Sequence, residues 1–372
     1  MEDKPIFLPG LNGIRTIAAI GVMMSHINLA LNKFNITCTS LFGFNEEHKP
    51  GGWLLGEHGV TMFFVLSGFL ITFLLHKEFE KTGNVNIKAF YIRRILRIWP
   101  LYYLYFFIVI ITLFVLYGNL PSISTFLYYS FFLANVPFVT EKALPALDHF
   151  WSIGVEEQFY LFWPFLFVFC NLKLKKVILF LITVLALFRI FIWYKMPFSL
   201  IALYSVVNRF DCMLLGALGA ILYLEKSKII DFLNLKFVQY FSWFIMLLLI
   251  TNQLNFFNSI IEIFLIAFVT LCIIIGQINV KNRVVNLENT IMSYLGRLSF
   301  GIYVYHPLLI LLVSHFFINK NYFNELIYTI LVFSLIITFT VVISHFSYFY
   351  FENRFLRLKS KFSIIHSTNS NV

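Results

Sequence analysis

Charge is scarce in this chain: only 12% of its 372 residues are Asp, Glu, Lys or Arg, against 60% hydrophobic ones, and the mean hydropathy is +0.83. So few charges cannot cover a water-facing surface, which excludes an ordinary soluble globular domain. Cysteine is scarcer still. The four present, Cys38, Cys170, Cys212 and Cys272, show no CxxC or CxxH spacing, and three lie in apolar stretches where Cys behaves as a small hydrophobe. Neither a structural metal nor a disulfide framework is expected. No internal repeat is visible, and beyond about 20 polar residues at the C-terminal end nothing is left over for a second, soluble domain.

What the chain has instead is apolar length. Stretches able to cross roughly 30 Å of hydrocarbon lie near 12–31, 58–76, 98–117, 150–170, 177–194, 200–224, 237–253, 257–276, 294–317 and 324–350. An eleventh, 122–138, is opened by Pro121 and closed by Pro137. If it spans, Lys173, Lys175 and Lys176 fall outside; if it does not, they join Lys77, Arg93, Arg94, Arg97, Lys226, Lys228, Lys281, Arg283 and Arg354 on the cytoplasmic side. The second distribution obeys the positive-inside rule. The expected fold is therefore all-α, a polytopic transmembrane helical bundle of about ten spans with both termini cytoplasmic. Its membrane domain covers 1–356, a polar cytoplasmic tail covers 357–372, and 122–138 is a short interfacial or re-entrant piece. The net charge of +10 is accounted for by these loops, so no nucleic-acid partner is expected. The first apolar stretch is interrupted by Arg15 and His26 and lacks a small-residue cleavage pattern, so it is expected to be retained.

Polar residues inside such spans need a reason, because an ionisable group in hydrocarbon costs roughly 3 kcal/mol or more. Trp151-Ser152-Ile153-Gly154-Val155-Glu156-Glu157-Gln158-Phe159-Tyr160 carries two carboxylates in one helix, and His149, Ser152, Glu156 and Tyr160 recur at helical spacing on one face. The plain alternative is a water boundary or an interhelical pair. In the first span, Arg15 and His26 share a face about 16 Å apart, and His26 and Glu156 are expected at similar depth. Alone, His26 reads equally well as an interhelical hydrogen bond. Arg94 and Arg97 face one way ahead of the third span, where they suit either a topology anchor or a phosphate site. Arg209 and Asp211 are two apart and cannot face each other on a helix, so each, like Arg189, needs a partner elsewhere. Ser67 and Gly68 read as helix-packing positions.

Together these pieces resemble membrane-bound acyltransferase family 3, the bacterial O-acyltransferases of surface glycans. Arg15 through His26 looks like the family's Arg-x10-His first helix, and Phe63 to Ile71 is similar to its second-helix signature. Arg94-Ile95-Leu96-Arg97 looks like its Arg-x-x-Arg, Trp151 to Tyr160 like its most recognisable block, and Leu295 to Pro307, which includes Tyr303 and His306, like its late one. The resemblance is to the stand-alone type, without a periplasmic hydrolase-like domain. It implies transfer of an acyl group, most often acetyl, from cytoplasmic acyl-CoA to a saccharide hydroxyl across a bacterial plasma membrane. Acetyl-CoA is then a co-substrate, with no tightly bound cofactor. His26 is implied as base or acyl carrier with Glu156 orienting it or stabilising its cation, Arg15, Arg94 and Arg97 as the CoA site, and His149, Tyr160, Tyr303 and His306 as acceptor-binding residues, His149 and Tyr160 serving alternatively in proton exchange. A transporter or flippase is the rival reading, since polar residues at mid-membrane also mark substrate paths. The acceptor, the acyl group and the oligomeric state stay open.

Overall fold

The computed structural model describes residues 6–44, 50–170, 173–251, 260–316 and 324–365. Residues 252–253, 257–259 and 317 of the expected spans, and 366–372 of the expected tail, lie outside the described residues.

The long helices are α1 (Leu11–Leu29), α2 (Trp53–Thr82) and α3 (Ile87–Tyr117). After the short α4 (Ile123–Ser130) and α5 (Asn135–Val139) come α6 (Phe150–Cys170) and α7 (Leu174–Lys195). The chain continues through α8 (Leu200–Val207), α9 (Phe210–Leu224), α10 (Lys228–Leu233), α11 (Lys236–Ile250) and α12 (Ile260–Ile278). It closes with α13 (Thr290–Phe316), α14 (Glu325–Phe346), a π-helical turn over Ser347–Glu352, and α15 (Asn353–Ser360). Helix boundaries follow local chemistry: Gly83 and Gly118, at φ 72° and 71°, end α2 and α3 in the left-handed region that glycine enters without strain. The Asn86 and Ser122 side chains cap the N-termini of α3 and α4.

Among the described residues, eight helical segments are long and apolar enough to cross a membrane, which makes this a multi-pass membrane protein. The two remaining expected spans are α1, less apolar because its polar side chains are sheltered between α2 and α13, and α11, whose 15 residues reach only about 22 Å. Stretch 122–138 forms no single helix. It breaks into α4 and α5 around Phe132, whose φ is 57°. The span expected over 200–224 is also interrupted: α8 stops at Val207 and α9 starts at Phe210, with Arg209 between them turned inward. Non-helical backbone at this depth is tolerated because it is enclosed by protein. At the C-terminal end, helix continues past 350 through the π turn, so the expected boundary at 356/357 falls within α15.

The buried charges find the partners that their spacing demanded. Arg189 makes two hydrogen bonds to Asp211, at 2.8 and 3.0 Å, and Arg209 reaches Glu57 at 2.5 Å and Thr61 at 2.9 Å. Lys175 pairs with Glu225 at 2.6 Å, which puts the loops after α6 and α9 on one side of the bundle.

Helices α2 and α9 touch backbone to backbone. A Cβ on Gly68 would lie 1.9 Å from the Met213 carbonyl oxygen, and one on Gly216 2.0 Å from that of Val65. No side chain can share that space, so the glycines set the interhelical distance. Gly68→Leu is expected to remove the folded species, read as loss of the monodisperse peak of detergent-extracted protein. Recovery at wild-type yield would mean that α2 and α9 can separate without cost.

Candidate functional site

Two cavities meet inside the bundle. The larger, of about 180 Å³, is lined by Arg15 from α1, Ser67 from α2, Arg94 and Arg97 from α3, Glu156 and Tyr160 from α6, and Lys359 from α15. Three arginines and a lysine against one carboxylate would suit an anion. The i, i+3 spacing of Arg94 and Arg97 delivers both to this space, and the Arg94 guanidinium lies over the Phe90 and Tyr160 rings at 5.7 and 5.5 Å. Arg93 points elsewhere and pairs with Glu78 at 2.8 Å. Three arginines of equal topological meaning are thus separated into one structural ion pair and two cavity residues. Arg15 donates to Asn12 at 2.8 Å, which holds its guanidinium at the cavity wall.

The smaller cavity, of about 30 Å³, is lined by His26, Trp53, Glu57, His149, Trp151 and Tyr303, among others. Val60 and Tyr303 wall both cavities. The Tyr303 hydroxyl is hydrogen-bonded to Ser152 at 2.5 Å and donates to the His149 carbonyl at 2.9 Å, so it stands as a post between the two spaces.

His26 Nδ1 lies 2.9 Å from His306 Nε2, and His306 Nδ1 lies 2.9 Å from the Ile302 carbonyl oxygen. A carbonyl can only accept. In the neutral ring, His306 therefore carries its proton on Nδ1 and offers a lone pair at Nε2, and His26 donates its Nδ1–H to that lone pair. The lone pair of His26 is then on Nε2, the nitrogen left available on the cavity side. This histidine pair assigns the tautomer that a base or nucleophile needs.

Several expectations are corrected by this geometry. Glu156 does not orient His26: it accepts a 2.9 Å hydrogen bond from Tyr160, which also bonds Ser67, and it belongs to the arginine cavity. Tyr160 follows Glu156 into the larger cavity and does not line the smaller one. His306 lines neither cavity; it stands fully buried behind His26 on the face of α13 packed against α1. His149 precedes α6, in a turn, yet its ring reaches the small cavity, 5.6 Å from His306 and 5.3 Å from Tyr303 between centroids. Ser67 is a cavity residue, not a packing one.

Sequence reasoning missed Lys359 and Glu57. Lys359 lay in a basic C-terminal run that reads as a topology signal, and its arrival beside Arg97 depends on the π turn before α15. Glu57 sat one residue before an expected span and so counted as loop.

A family model described as an acyltransferase domain matches residues 8–345. Two Staphylococcus aureus proteins, of strains COL and N315, provisionally named O-acetyltransferases, are 26% identical over 376 aligned positions covering 95% of this chain and 58% of their own. The O-acetyltransferase OatA of Staphylococcus aureus strain NCTC 8325 / PS 47 is 26% identical over 339 positions, 85% of this chain and 53% of its own. The chain thus spans just over half the length of these relatives. No solved structure matches it.

Proposed function

Because this chain belongs to the acyltransferase-domain family, we propose that it transfers an acyl group, most simply acetyl, from acyl-CoA to a hydroxyl of a cell-surface or lipid-linked saccharide. One observation carries this reading: a four-cation cavity and a histidine cavity share the Tyr303 and Val60 wall. The first suits the phosphates of a CoA nucleotide, with Arg94 and Arg97 as guanidinium forks and Arg15 and Lys359 completing the charge. The second presents the free Nε2 of His26 to whatever enters from the other side.

The chemistry follows from that nitrogen. His26 Nε2 takes the proton from the acceptor hydroxyl as its oxygen attacks the thioester carbonyl, so that a C–O bond forms. The C–S bond then breaks and the departing CoA sulfur takes the proton back from His26. In the variant order the imidazole Nε2 attacks the thioester carbonyl and the C–S bond breaks to release CoA thiolate; the hydroxyl oxygen then attacks the acyl-histidine, the C–N bond breaks to return the imidazole, and the hydroxyl proton passes to the thiolate. Either way His306 keeps Nδ1 of His26 occupied and Nε2 free. With the arginine cavity facing the cytoplasm of a bacterial plasma membrane, the donor enters from inside and the acceptor from outside.

Acetyl-CoA turnover by purified protein tests the reading. Release of free CoA thiol is expected, with acetyl appearing as alkali-labile ester when envelope saccharide is supplied. A transporter or flippase leaves the thioester intact, and that result would reject the enzyme.

A further inference from the structure

Lining the small cavity beside His26 are two residues to which the transfer chemistry assigns no role, Trp53 and Glu57. Trp53 is the first residue of α2 and is 53% exposed, at the outer end of this cavity relative to the arginines. One turn further on, Glu57 is held by the buried Arg209, which donates to its Oε2 at 2.5 Å and is fixed in turn by Thr61 at 2.9 Å. Its Oε1 makes no hydrogen bond among the described residues, so one carboxylate oxygen is spent on structure and one remains as a fixed acceptor. Opposite stands His149, 2% exposed, with neither ring nitrogen hydrogen-bonded among the described residues and only a long ion-pair contact, 3.8 Å, from Nδ1 to Asp148. A buried imidazole left this way carries a desolvation cost that a bound polar group would relieve.

The electrical character is the opposite of the neighbouring cavity. Among the described residues no lysine or arginine lines it, so it does not suit phosphate. An exposed indole, a fixed carboxylate oxygen and an imidazole without a hydrogen bond suit a neutral ring bearing several hydroxyls: the apolar face of a sugar lies on the indole at the mouth, and the cavity of about 30 Å³ behind it admits hydroxyls, one donating to Glu57 and another bonding His149.

Building on the reading of the chain as a saccharide acyltransferase, we propose that Trp53 and Glu57, with His149, form the acceptor subsite, a neutral sugar ring lying on Trp53 at the mouth of the cavity with its hydroxyls reaching inward toward Glu57, His149 and His26. Selectivity follows from the carboxylate. A site built to bond a hydroxyl discriminates against a sugar lacking it, because the buried partner is left unpaired.

The test compares Trp53→Ala, Trp53→Phe and Glu57→Gln with wild type, in cells producing each full chain, by alkali-released acetyl from envelope polysaccharide. Purified protein of each variant is assayed in parallel for binding of radiolabelled acetyl-CoA. Trp53→Ala and Glu57→Gln are expected to lower ester acetyl about tenfold, Trp53→Phe to stay within about twofold, and acetyl-CoA affinity to stay at the wild-type value in all three. Since Glu57→Gln also weakens a buried ion pair, Trp53→Ala, at an exposed position, carries the decision. Wild-type acetyl content in Trp53→Ala overturns the subsite. So does a parallel loss of acetyl-CoA binding or of protein yield, which marks Trp53 as an interfacial anchor. If wild-type cells carry no more ester acetyl than cells without the protein, the saccharide reading itself fails, and the result is separable because the variants are then irrelevant to the comparison.

Discussion

Acetyl transfer by the His26→Gln protein is expected to fall about 10²–10⁴-fold, the range supplied by a positioned general base. The glutamine amide can still donate toward His306 Nε2 and so preserves the contact that His26 Nδ1 makes at 2.9 Å, but it offers no basic lone pair to the cavity. Expression and acetyl-CoA binding are expected to remain, because the cations that would hold the nucleotide line the other cavity. His306→Phe is the informative companion. It leaves His26 in place but removes the acceptor that fixes the tautomer, so a smaller loss in kcat with unchanged acetyl-CoA affinity is expected. A purely structural His26 would lower the yield of folded protein and leave turnover per folded molecule intact. Wild-type turnover by purified His26→Gln would reject the base assignment.

The second large effect concerns Arg94 and Arg97. Arg94→Lys with Arg97→Lys preserves both charges, and hence any orientation signal, while removing the planar forks that match phosphate oxygens. Acetyl-CoA affinity is expected to fall at least about tenfold, equivalent to about 1.4 kcal/mol, with insertion unchanged. Acetyl-pantetheine, which has the thioester but not the nucleotide, supplies the control: its turnover is expected to be equal in wild type and double variant. Lys359→Gln is expected to weaken acetyl-CoA binding in the same direction, since it too lines the cavity. Unchanged acetyl-CoA affinity in the double variant would return these arginines to the role of topology anchors.

Much was determined by the sequence alone. Composition and run length dictate a membrane bundle, because a chain with 12% charge has no other solvent in which to bury its surface. The need for each intramembrane charge to find a partner was equally legible, and Arg189 with Asp211 and Arg209 with Glu57 meet it. So was the failure of 122–138, bounded by Pro121 and Pro137, to form a span, although the break into helices of 8 and 5 residues falls at the apolar residues 131–134 and was not legible. The motif residues Arg15, Arg94, Arg97, Glu156 and His26 were all found in sequence, because they are polar groups in apolar surroundings. Which of them share a cavity was not. Helical periodicity gives azimuth along one helix, but says nothing about the rotation and offset of one helix against another, and those are set by contacts such as Gly68 on Met213 and Gly216 on Val65. Only that packing decided that Glu156 faces arginines and not His26, that His306 and not a carboxylate holds His26, and that Glu57 and Lys359 belong to the cavities at all. Side chains from different helices meet through interhelical distance and register, which are properties of the folded bundle and not of any single apolar run.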